Sequence, residues 1–181
     1  MRRRLAQWAL TTYTWSTPGT GAGVSEGRLT HLDDSGAARM VDVSGKDVTV
    51  RTATATGRVV VSAEVLRLLR AGSVPKGDAL GVARIAGIQA AKRTPDLVPL
   101  CHPVAIHAVE VDVTVGDDAV HLSATVRTAD RTGVEMEALT CVAVAGLALV
   151  DMVKAVDRAA TITDVRVEAK SGGRSGDWRR P

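Results

Sequence analysis

The sequence VEVDVTVGDDAVHLSATV, residues 109–126, alternates apolar and polar residues on both sides of a short turn. Alternation with a period of two is typical of a β-strand that has one buried and one solvated face. The pattern stops at Gly116-Asp117-Asp118, residue types that favour turns, and resumes at Val120. This stretch therefore predicts an antiparallel hairpin.

Weaker alternation predicts further strands on either side of the hairpin. One covers residues 48–54, and another covers residues 162–169 near the end of the chain. A short apolar run at residues 59–61 follows Gly57, and we interpret this glycine as the turn of a second hairpin.

Three segments have helical patterns: residues 62–71, residues 79–93 and a long helix within 134–156. Ser62 and Asp78 occupy the N-cap positions of the first two, where a side-chain oxygen can accept a hydrogen bond from a free backbone N–H. Strands and helices interleave without the strict βαβ repetition of a parallel sheet. The order favours an α+β fold with helices packed on one face of an antiparallel sheet.

Composition narrows the possible functions. The 181-residue chain has the length of one domain or a small pair, and it has no Phe, Tyr or Trp between residues 16 and 177. Platforms for single-stranded nucleic acid and cages for cations both use aromatic ring faces, so both classes are disfavoured. The formal net charge is +3, but residues 29–178 contain 17 basic and 19 acidic residues. The positive excess lies at the two ends, and a basic face for nucleic acid is not indicated.

Cysteine usage and hydropathy indicate a soluble protein of a reducing compartment. Cys101 and Cys141 form no CxxC pair, which disfavours a disulfide framework and a structural zinc site. The longest uncharged apolar run, residues 138–150, is shorter than the roughly 18–20 residues that span a bilayer. Residues 1–28 are rich in Arg, Thr, Ser and Gly, and we expect a disordered extension outside the function. A transit peptide, a dispensable leader and a misassigned translation start explain this segment equally well.

Two loops hold candidate site residues in stiff or turning backbone. Lys76 lies between Pro75 and Gly77, just before a predicted helix, although an exposed loop lysine is also common. The segment Leu100-Cys101-His102-Pro103 follows another proline, so His102 points in a defined direction. A Cys-His metal pair is disfavoured, because adjacent residues of an extended chain point to opposite sides.

The long predicted helix carries polar groups at both ends. Glu135, Met136 and Glu137 lie at its start, where the helix dipole alone would favour acidic residues. Asp151 and Lys154 lie near its end with i, i+3 spacing. They form either a surface ion pair worth a few tenths of a kcal/mol or a proton-transfer pair.

The segment KSGGRSG, residues 170–176, is a basic glycine-rich loop after the last predicted strand. Backbone N–H groups of such a loop, with Lys170 and Arg174, can bind phosphate. The Gly-Lys-Ser/Thr ending of a Walker A loop is missing. The alternative is a flexible C-terminal tail.

Helix geometry separates two of these groups. If one helix runs from Glu137 to Asp151, the two residues are about 21 Å apart. They then cannot bind one small molecule within a subunit. Either the helix begins later, or the site lies between subunits with the small-residue helix in a symmetric interface, and we favour the second arrangement.

Several long motifs, in order along the chain, resemble the MoaC family, the cyclic pyranopterin monophosphate synthases of molybdenum cofactor biosynthesis. They are MVDVSGK at 40–46, KGDALGVARIAGIQAAKRTPDLVPLCHPV at 76–104, TGVEMEALT at 132–140, DMVKA at 151–155 and AKSGGRSGDW at 169–178. The resemblance covers residues 29–178 and leaves 179–181 as a tail. Arg174 stands where Lys is common, which keeps the charge, and no family function transfers to residues 1–28.

The resemblance implies a ferredoxin-like α+β subunit, a homohexamer built as a trimer of dimers, and active sites at subunit interfaces. It implies a cytoplasmic lyase that converts (8S)-3′,8-cyclo-7,8-dihydroguanosine 5′-triphosphate into cyclic pyranopterin monophosphate and pyrophosphate. No redox cofactor or protein-bound metal is implied, although Mg²⁺ can accompany the triphosphate. The implied catalytic residues are Asp151, Lys76 and Lys154, and the implied substrate-binding residues are Leu100, Cys101, His102, Glu135, Met136, Glu137, Lys170, Arg174 and, more weakly, Arg51.

Two other functions compete with a lyase. A nucleic-acid-binding module would account for the high pI, but the charge distribution and the missing aromatic residues count against it. A non-catalytic oligomeric scaffold predicts that removing the charges of Lys76, Asp151 and Lys154 changes only solubility.

Overall fold

Five antiparallel strands and four helices make up residues 35–181, the part of the chain that the computed structural model describes. The extension predicted at residues 1–28 lies outside the described residues. In chain order the elements are β1 (Thr49–Val60), α1 (Ala63–Arg70), α2 (Ala79–Ala91), α3 (Thr94–Leu97), β2 (Ile106–Val115), β3 (Ala119–Asp130), α4 (Glu135–Val153), β4 (Thr161–Ser171) and β5 (Trp178–Arg179).

The strands form one sheet in the order β2-β3-β1-β4-β5, with every neighbouring pair antiparallel. This sheet order is that of the ferredoxin-like arrangement, in which the chain forms a strand, a helical segment, two strands, a helix and a strand. Strand β5 is added at one edge. The α+β prediction is confirmed. The residues after Trp178, expected to be a tail, extend the sheet edge: Arg179 pairs with Ala169, and the Arg180 backbone N–H donates to the Glu168 carbonyl at 2.8 Å.

The hairpin predicted from residues 109–126 is confirmed as β2 and β3. Its turn closes where the Gly116 N–H donates to the Ala119 carbonyl at 2.9 Å. Val111, Val113 and Leu122 point into the core, while their polar neighbours face the open side of the sheet. Local alternation therefore set both the strands and the buried face.

The hairpin turn predicted at Gly57 is wrong, because β1 runs without a break from Thr49 to Val60. A Cβ atom at Gly57 would lie 2.6 Å from Cγ1 of Val142 and 3.2 Å from Cγ2 of Val165. The glycine thus provides the space in which α4 packs against the middle of the sheet. The register between β1 and β4 also shifts between Thr56 and Arg58.

Gly57→Ala should destabilise the fold by about 1–3 kcal/mol, the usual cost of forcing an extra methyl group into a packed core. Gly45→Ala is a matched control, since no atom lies within 4 Å of the added Cβ. Urea denaturation of both variants measures the difference. Equal midpoints for the two variants would contradict the close approach of α4 to Gly57.

The helix predictions hold with small changes at the ends. Ser62 Oγ accepts from the Val65 N–H at 3.4 Å, and Asp78 Oδ1 accepts from the Gly81 N–H at 2.9 Å, so both predicted N-caps are confirmed. The second predicted helix, residues 79–93, ends at Ala91, and the short α3 follows.

Helix α4 runs unbroken from Glu135 to Val153 and is buried on the side that faces the sheet and α2. A Cβ at Gly87 of α2 would lie 2.9 Å from the Cys141 carbonyl oxygen, so small residues let the two helices approach closely. Within residues 35–181, α4 is the one helix long and apolar enough to cross a membrane, and half of it is buried in the fold. Such burial is typical of a core helix.

Candidate functional site

Three predicted site residues meet at the C-terminal end of α4; we call Lys76, Asp151 and Lys154 the Asp151 cluster. Lys154 Nζ lies 2.8 Å from Asp151 Oδ1, and Lys76 Nζ lies 2.9 Å from Oδ2. Lys76 also donates to the backbone carbonyl of Asp151 at 2.8 Å. The turn before α2, with Gly77 at φ +95°, brings Lys76 to the helix end. One carboxylate is thus held between two ammonium groups.

The two ammonium groups determine the charge of this cluster. Hydrogen bonds from Lys154 and then Lys76, with their positive charges, lower the pKa of Asp151 to about 2. The carboxyl group is therefore ionised near neutral pH and can accept a proton but has none to donate. The available proton donors are the two lysines.

A second group of predicted residues includes Glu135, Met136 and Glu137, which form the first turn of α4. We call these three residues, together with Cys101 and its chain neighbour His102, the Glu137 cluster. Glu137 is only 3% exposed, and its burial raises its pKa to about 7, helped by the negative charge of Glu135. Burial, followed by the charge of Glu137, raises the pKa of the Cys101 thiol, so Cys101 lies within electrostatic range of this carboxyl group.

Two further contacts tie this region together. His102 Nε2 lies 2.6 Å from the Val41 carbonyl oxygen, so the histidine holds the segment before β1. Lys170 Nζ lies 3.3 Å from Glu135 Oε1 and donates to Ser175 Oγ at 2.9 Å. Lys170 therefore links the glycine-rich loop to the start of α4. Leu100, the remaining residue of its motif, is partly buried beside Cys101 in the chain.

A polar cavity of about 190 Å³ lies beside the Glu137 cluster. The charged residues that line it are Lys46, Arg51, Arg131, Lys170 and Glu135. With four cations and one carboxylate, it is suited to an anion, and we call it the anion cavity.

A neighbouring cavity of about 420 Å³ shares Lys46 and Arg51 and is also lined by Arg174 and Asp47. The predicted cations Lys170 and Arg174 therefore lie in adjoining spaces.

Arg51 has a supporting role at this site. Its Nε donates to the Asp130 carbonyl at 2.8 Å, and its Nη2 donates to the Arg131 carbonyl at 3.1 Å. Its Nη1 lies so close to Gly173, at φ +73°, that a Cβ there would collide with it. Arg51 thus joins the glycine-rich loop to the end of β3.

Lys46 and Arg131 are not among the predicted site residues, although both line the anion cavity. Lys46 is the last residue of the MVDVSGK motif, which is a signal in the sequence. Arg131 precedes the TGVEMEALT motif by one residue and carries no such signal.

Helix α4 keeps the two clusters apart within one chain. Because the helix is unbroken, Glu137 and Asp151 are separated by about 21 Å along its axis. The structure therefore brings the Asp151 cluster together at one end, and the Glu137 cluster with the anion cavity at the other.

Glu137→Gln should remove a pH dependence from the free energy of unfolding. The pKa of Glu137 is raised from an ordinary value near 4.5 to about 7, so between these values the folded chain keeps a proton that the unfolded chain has lost. Stability therefore falls as the pH rises through this range and levels off above it. The free energy of unfolding of the variant, minus that of the unaltered chain, should therefore rise by about 2–3 kcal/mol from about pH 5 to about pH 8.

Urea denaturation at both pH values measures this gain, with Glu110→Gln at an exposed position as the control. If the free energies of unfolding of the variant and the unaltered chain differ by the same amount at both pH values, the raised pKa of Glu137 is contradicted.

Other features of the described residues lie apart from this chemistry. A cavity of about 460 Å³ on the open face of the sheet is lined by Arg58, His121 and Asp164 among others, and by none of the predicted site residues. Arg58 there pairs with Asp118 at 2.6 Å. Within residues 35–181, no three His, Cys, Asp or Glu side chains come together as a metal site would require.

Comparisons with known proteins add independent evidence. The MoaC family model matches residues 40–173. The chain is 67% identical over 164 residues to a cyclic pyranopterin monophosphate synthase of Streptomyces avermitilis, covering 91% of this chain and 95% of the relative. It is 70% identical over 153 residues to that of Streptomyces coelicolor, covering 84% and 90%. It is 58% identical over 154 residues to cyclic pyranopterin monophosphate synthase 2 of Mycobacterium tuberculosis, covering 85% and 92%.

Proposed function

The chain belongs to the MoaC family, and we propose that the Asp151 cluster is the proton-transfer centre of its cyclic pyranopterin monophosphate synthase activity. The protein is a lyase of molybdenum cofactor biosynthesis. Its substrate, in this proposal, is (8S)-3′,8-cyclo-7,8-dihydroguanosine 5′-triphosphate, and its products are cyclic pyranopterin monophosphate and pyrophosphate.

The observation that carries the proposal is the position of Asp151 between Lys76 and Lys154, at 2.9 and 2.8 Å. Rearrangement of the purine-derived rings needs several proton transfers. An ionised carboxylate can accept a proton and an adjacent ammonium group can donate one, so the three side chains supply both halves of general acid–base catalysis. Each ammonium group is fixed by the carboxylate, which orients it before substrate arrives.

The anion cavity supports a role in holding the triphosphate. Closing the cyclic phosphate releases pyrophosphate, whose charge must be stabilised as it leaves. Lys46, Arg131 and Lys170 line the cavity, and Arg174 lines the adjoining space. We propose that this end of the site binds the phosphate groups while the Glu137 cluster binds the ring system.

A complete site then requires two copies of the chain. The outer face of α4 shows Met136, Thr140, Ala143, Leu147 and Asp151 at spacings of three and four residues, which places them on one stripe. If two α4 helices pack antiparallel about a two-fold axis beside Ala143, Met136 of one copy lies opposite Asp151 of the other. We propose this arrangement for the dimers of a homohexamer.

Exposure of apolar side chains on the helical layer supports the same interface. Leu147 is 59% exposed near the centre of the stripe, and Met136 is 39% exposed at its end. Ile85 and Val82 of α2 add further exposed apolar surface. The small side chain of Ala143 at the centre allows close approach of a second backbone. Together these residues form an apolar surface that a second copy would cover.

We propose no resident metal or redox cofactor and a cytoplasmic location. Proton transfer and stabilisation of pyrophosphate both lie within the chemistry of Asp, Lys and Arg side chains. Mg²⁺ would enter with the triphosphate as part of the substrate. Two unpaired cysteines, Cys101 partly buried and Cys141 buried, suit a reducing compartment.

Incubation of the purified full-length chain with the cyclic dihydroguanosine triphosphate tests the function. Pyranopterin and pyrophosphate should appear in equal amounts. A parallel incubation in chelator-treated buffer shows how much of the turnover depends on Mg²⁺. Release of pyrophosphate without pyranopterin, or neither product, would refute the proposed reaction.

A further inference from the structure

The corner where β3 ends, at Asp130 and Arg131, organises the anion cavity. We infer that Arg131 is a positioning residue that places Lys46 for binding the pyrophosphate portion of the substrate. The inference rests on the proposed function for the identity of that anion. In this role, Arg131 acts through a hydrogen bond to the backbone of Lys46.

The contact is a hydrogen bond from the Arg131 side chain to a backbone carbonyl. Arg131 Nε donates to the Lys46 carbonyl oxygen at 2.9 Å. Lys46 needs such an anchor because it precedes β1 in irregular backbone, outside any helix or strand. Its own N–H donates to the Val43 carbonyl at 3.0 Å, which makes residues 43–46 a local turn. That turn fixes the shape of the segment but not its place on the protein.

Arg131 is itself held to the sheet. Its backbone N–H donates to Asp130 Oδ1 at 2.7 Å, and its carbonyl accepts from Arg51 Nη2 at 3.1 Å. The Asp130 carbonyl accepts from Arg51 Nε at 2.8 Å. The Arg131 guanidinium group therefore connects the end of β3 to the segment that carries Lys46 and holds that segment in place.

A direct role is the competing explanation, since Arg131 also lines the anion cavity. The two roles differ in what the side chain must provide. A direct ligand must provide positive charge. A positioning residue must provide a hydrogen-bond donor at the place of Nε, and the amide nitrogen of Gln lies the same number of bonds from its backbone. Arg131→Gln therefore separates the two roles.

Calorimetric titration of the full-length chain with pyrophosphate provides the test. Lys46→Ala and Arg131→Ala should each weaken binding about tenfold, the effect of losing one charge-assisted hydrogen bond. If Arg131 acts through Lys46, the double variant should bind no more than about twofold more weakly than Lys46→Ala alone. Arg131→Gln should bind within about threefold of the unaltered chain.

Kinetics add a second measurement. Arg131→Ala should raise KM for the triphosphate about tenfold, because a displaced Lys46 binds the phosphate groups more weakly, while Arg131→Gln should keep KM within about threefold of the unaltered chain. A partial loss of folding would instead lower the apparent kcat and leave KM unchanged, and thermal unfolding of each variant identifies that case. Arg131→Gln, which keeps the donor, then supplies the decisive comparison.

Multiplicative losses in the double variant, or an Arg131→Gln variant as weak as Arg131→Ala, would overturn the inference in favour of a direct ligand. Absence of pyrophosphate binding by the unaltered chain would also overturn it. Binding without any synthase turnover would instead refute the proposed function and leave the role of Arg131 intact.

Discussion

Asp151→Asn should lower kcat by about 10²–10⁴-fold, the range expected when a general acid–base group is removed. The amide is nearly the same size as the carboxyl group but has no negative charge, so it neither accepts a proton nor holds Lys76 and Lys154 as ion-pair partners. Lys76→Ala should have an effect of the same order, since it removes a donor 2.9 Å from the Asp151 carboxylate.

Turnover of the cyclic dihydroguanosine triphosphate measures both variants, and size-exclusion chromatography should show an unchanged oligomer. Asp117→Asn is the matched control, because Asp117 is exposed in the β2–β3 turn. Full activity in Asp151→Asn or Lys76→Ala would remove these residues from the mechanism. It would also revive the scaffold hypothesis, in which charge removal changes only solubility.

Asp151→Asn and Glu137→Gln should each have little activity alone, since Glu137 belongs to the cluster proposed to bind the ring system. They should restore activity to one another if each site contains residues of two copies. In a mixed dimer of Asp151→Asn and Glu137→Gln, one site carries both substitutions and the other carries neither. With equal amounts and random exchange, about a quarter of all sites are then unaltered, so activity should rise to about a quarter of the native value.

A mixture of Asp151→Asn and Lys154→Ala provides the control. Both substitutions lie in the Asp151 cluster, so every mixed dimer has one substitution in each site and activity should stay low. Differently tagged subunits, co-expressed and purified through both tags, ensure that mixed oligomers are present. Restoration by neither pair, or by both, would contradict a site shared between two α4 ends.

Sequence patterns predicted the positions of helices and strands better than they predicted which distant residues contact one another. The alternation around Gly116 and the caps at Ser62 and Asp78 involve residues close in the chain, so the local physics was visible. The local sequence around Gly57 indicates a turn, but the role of this glycine depends on Val142, which lies far along the sequence. A glycine that opens space for a helix has the same local signature as one that turns the chain.

The candidate site divides in the same way. The motifs around Lys76, Asp151 and Lys170 singled out residue types suited to proton transfer and phosphate binding. Arg131 carried no such signal, because its importance lies in a hydrogen bond to a residue 85 positions earlier. The motifs also gave no indication that two of the three nitrogens of Arg51 bind backbone carbonyls.

Side-chain periodicity and capping act over a few residues, so sequence patterns were enough to predict the α+β class, the hairpin, the helix caps and the chemical types of the candidate residues. Tertiary structure alone decided that Lys76 lies against Asp151 and that Lys46 and Arg131 meet at the anion cavity. These contacts depend on how distant segments fold onto one sheet, which no local pattern records. The unbroken length of α4 then separates the two clusters, and the proposed site between two copies of the chain depends on that separation.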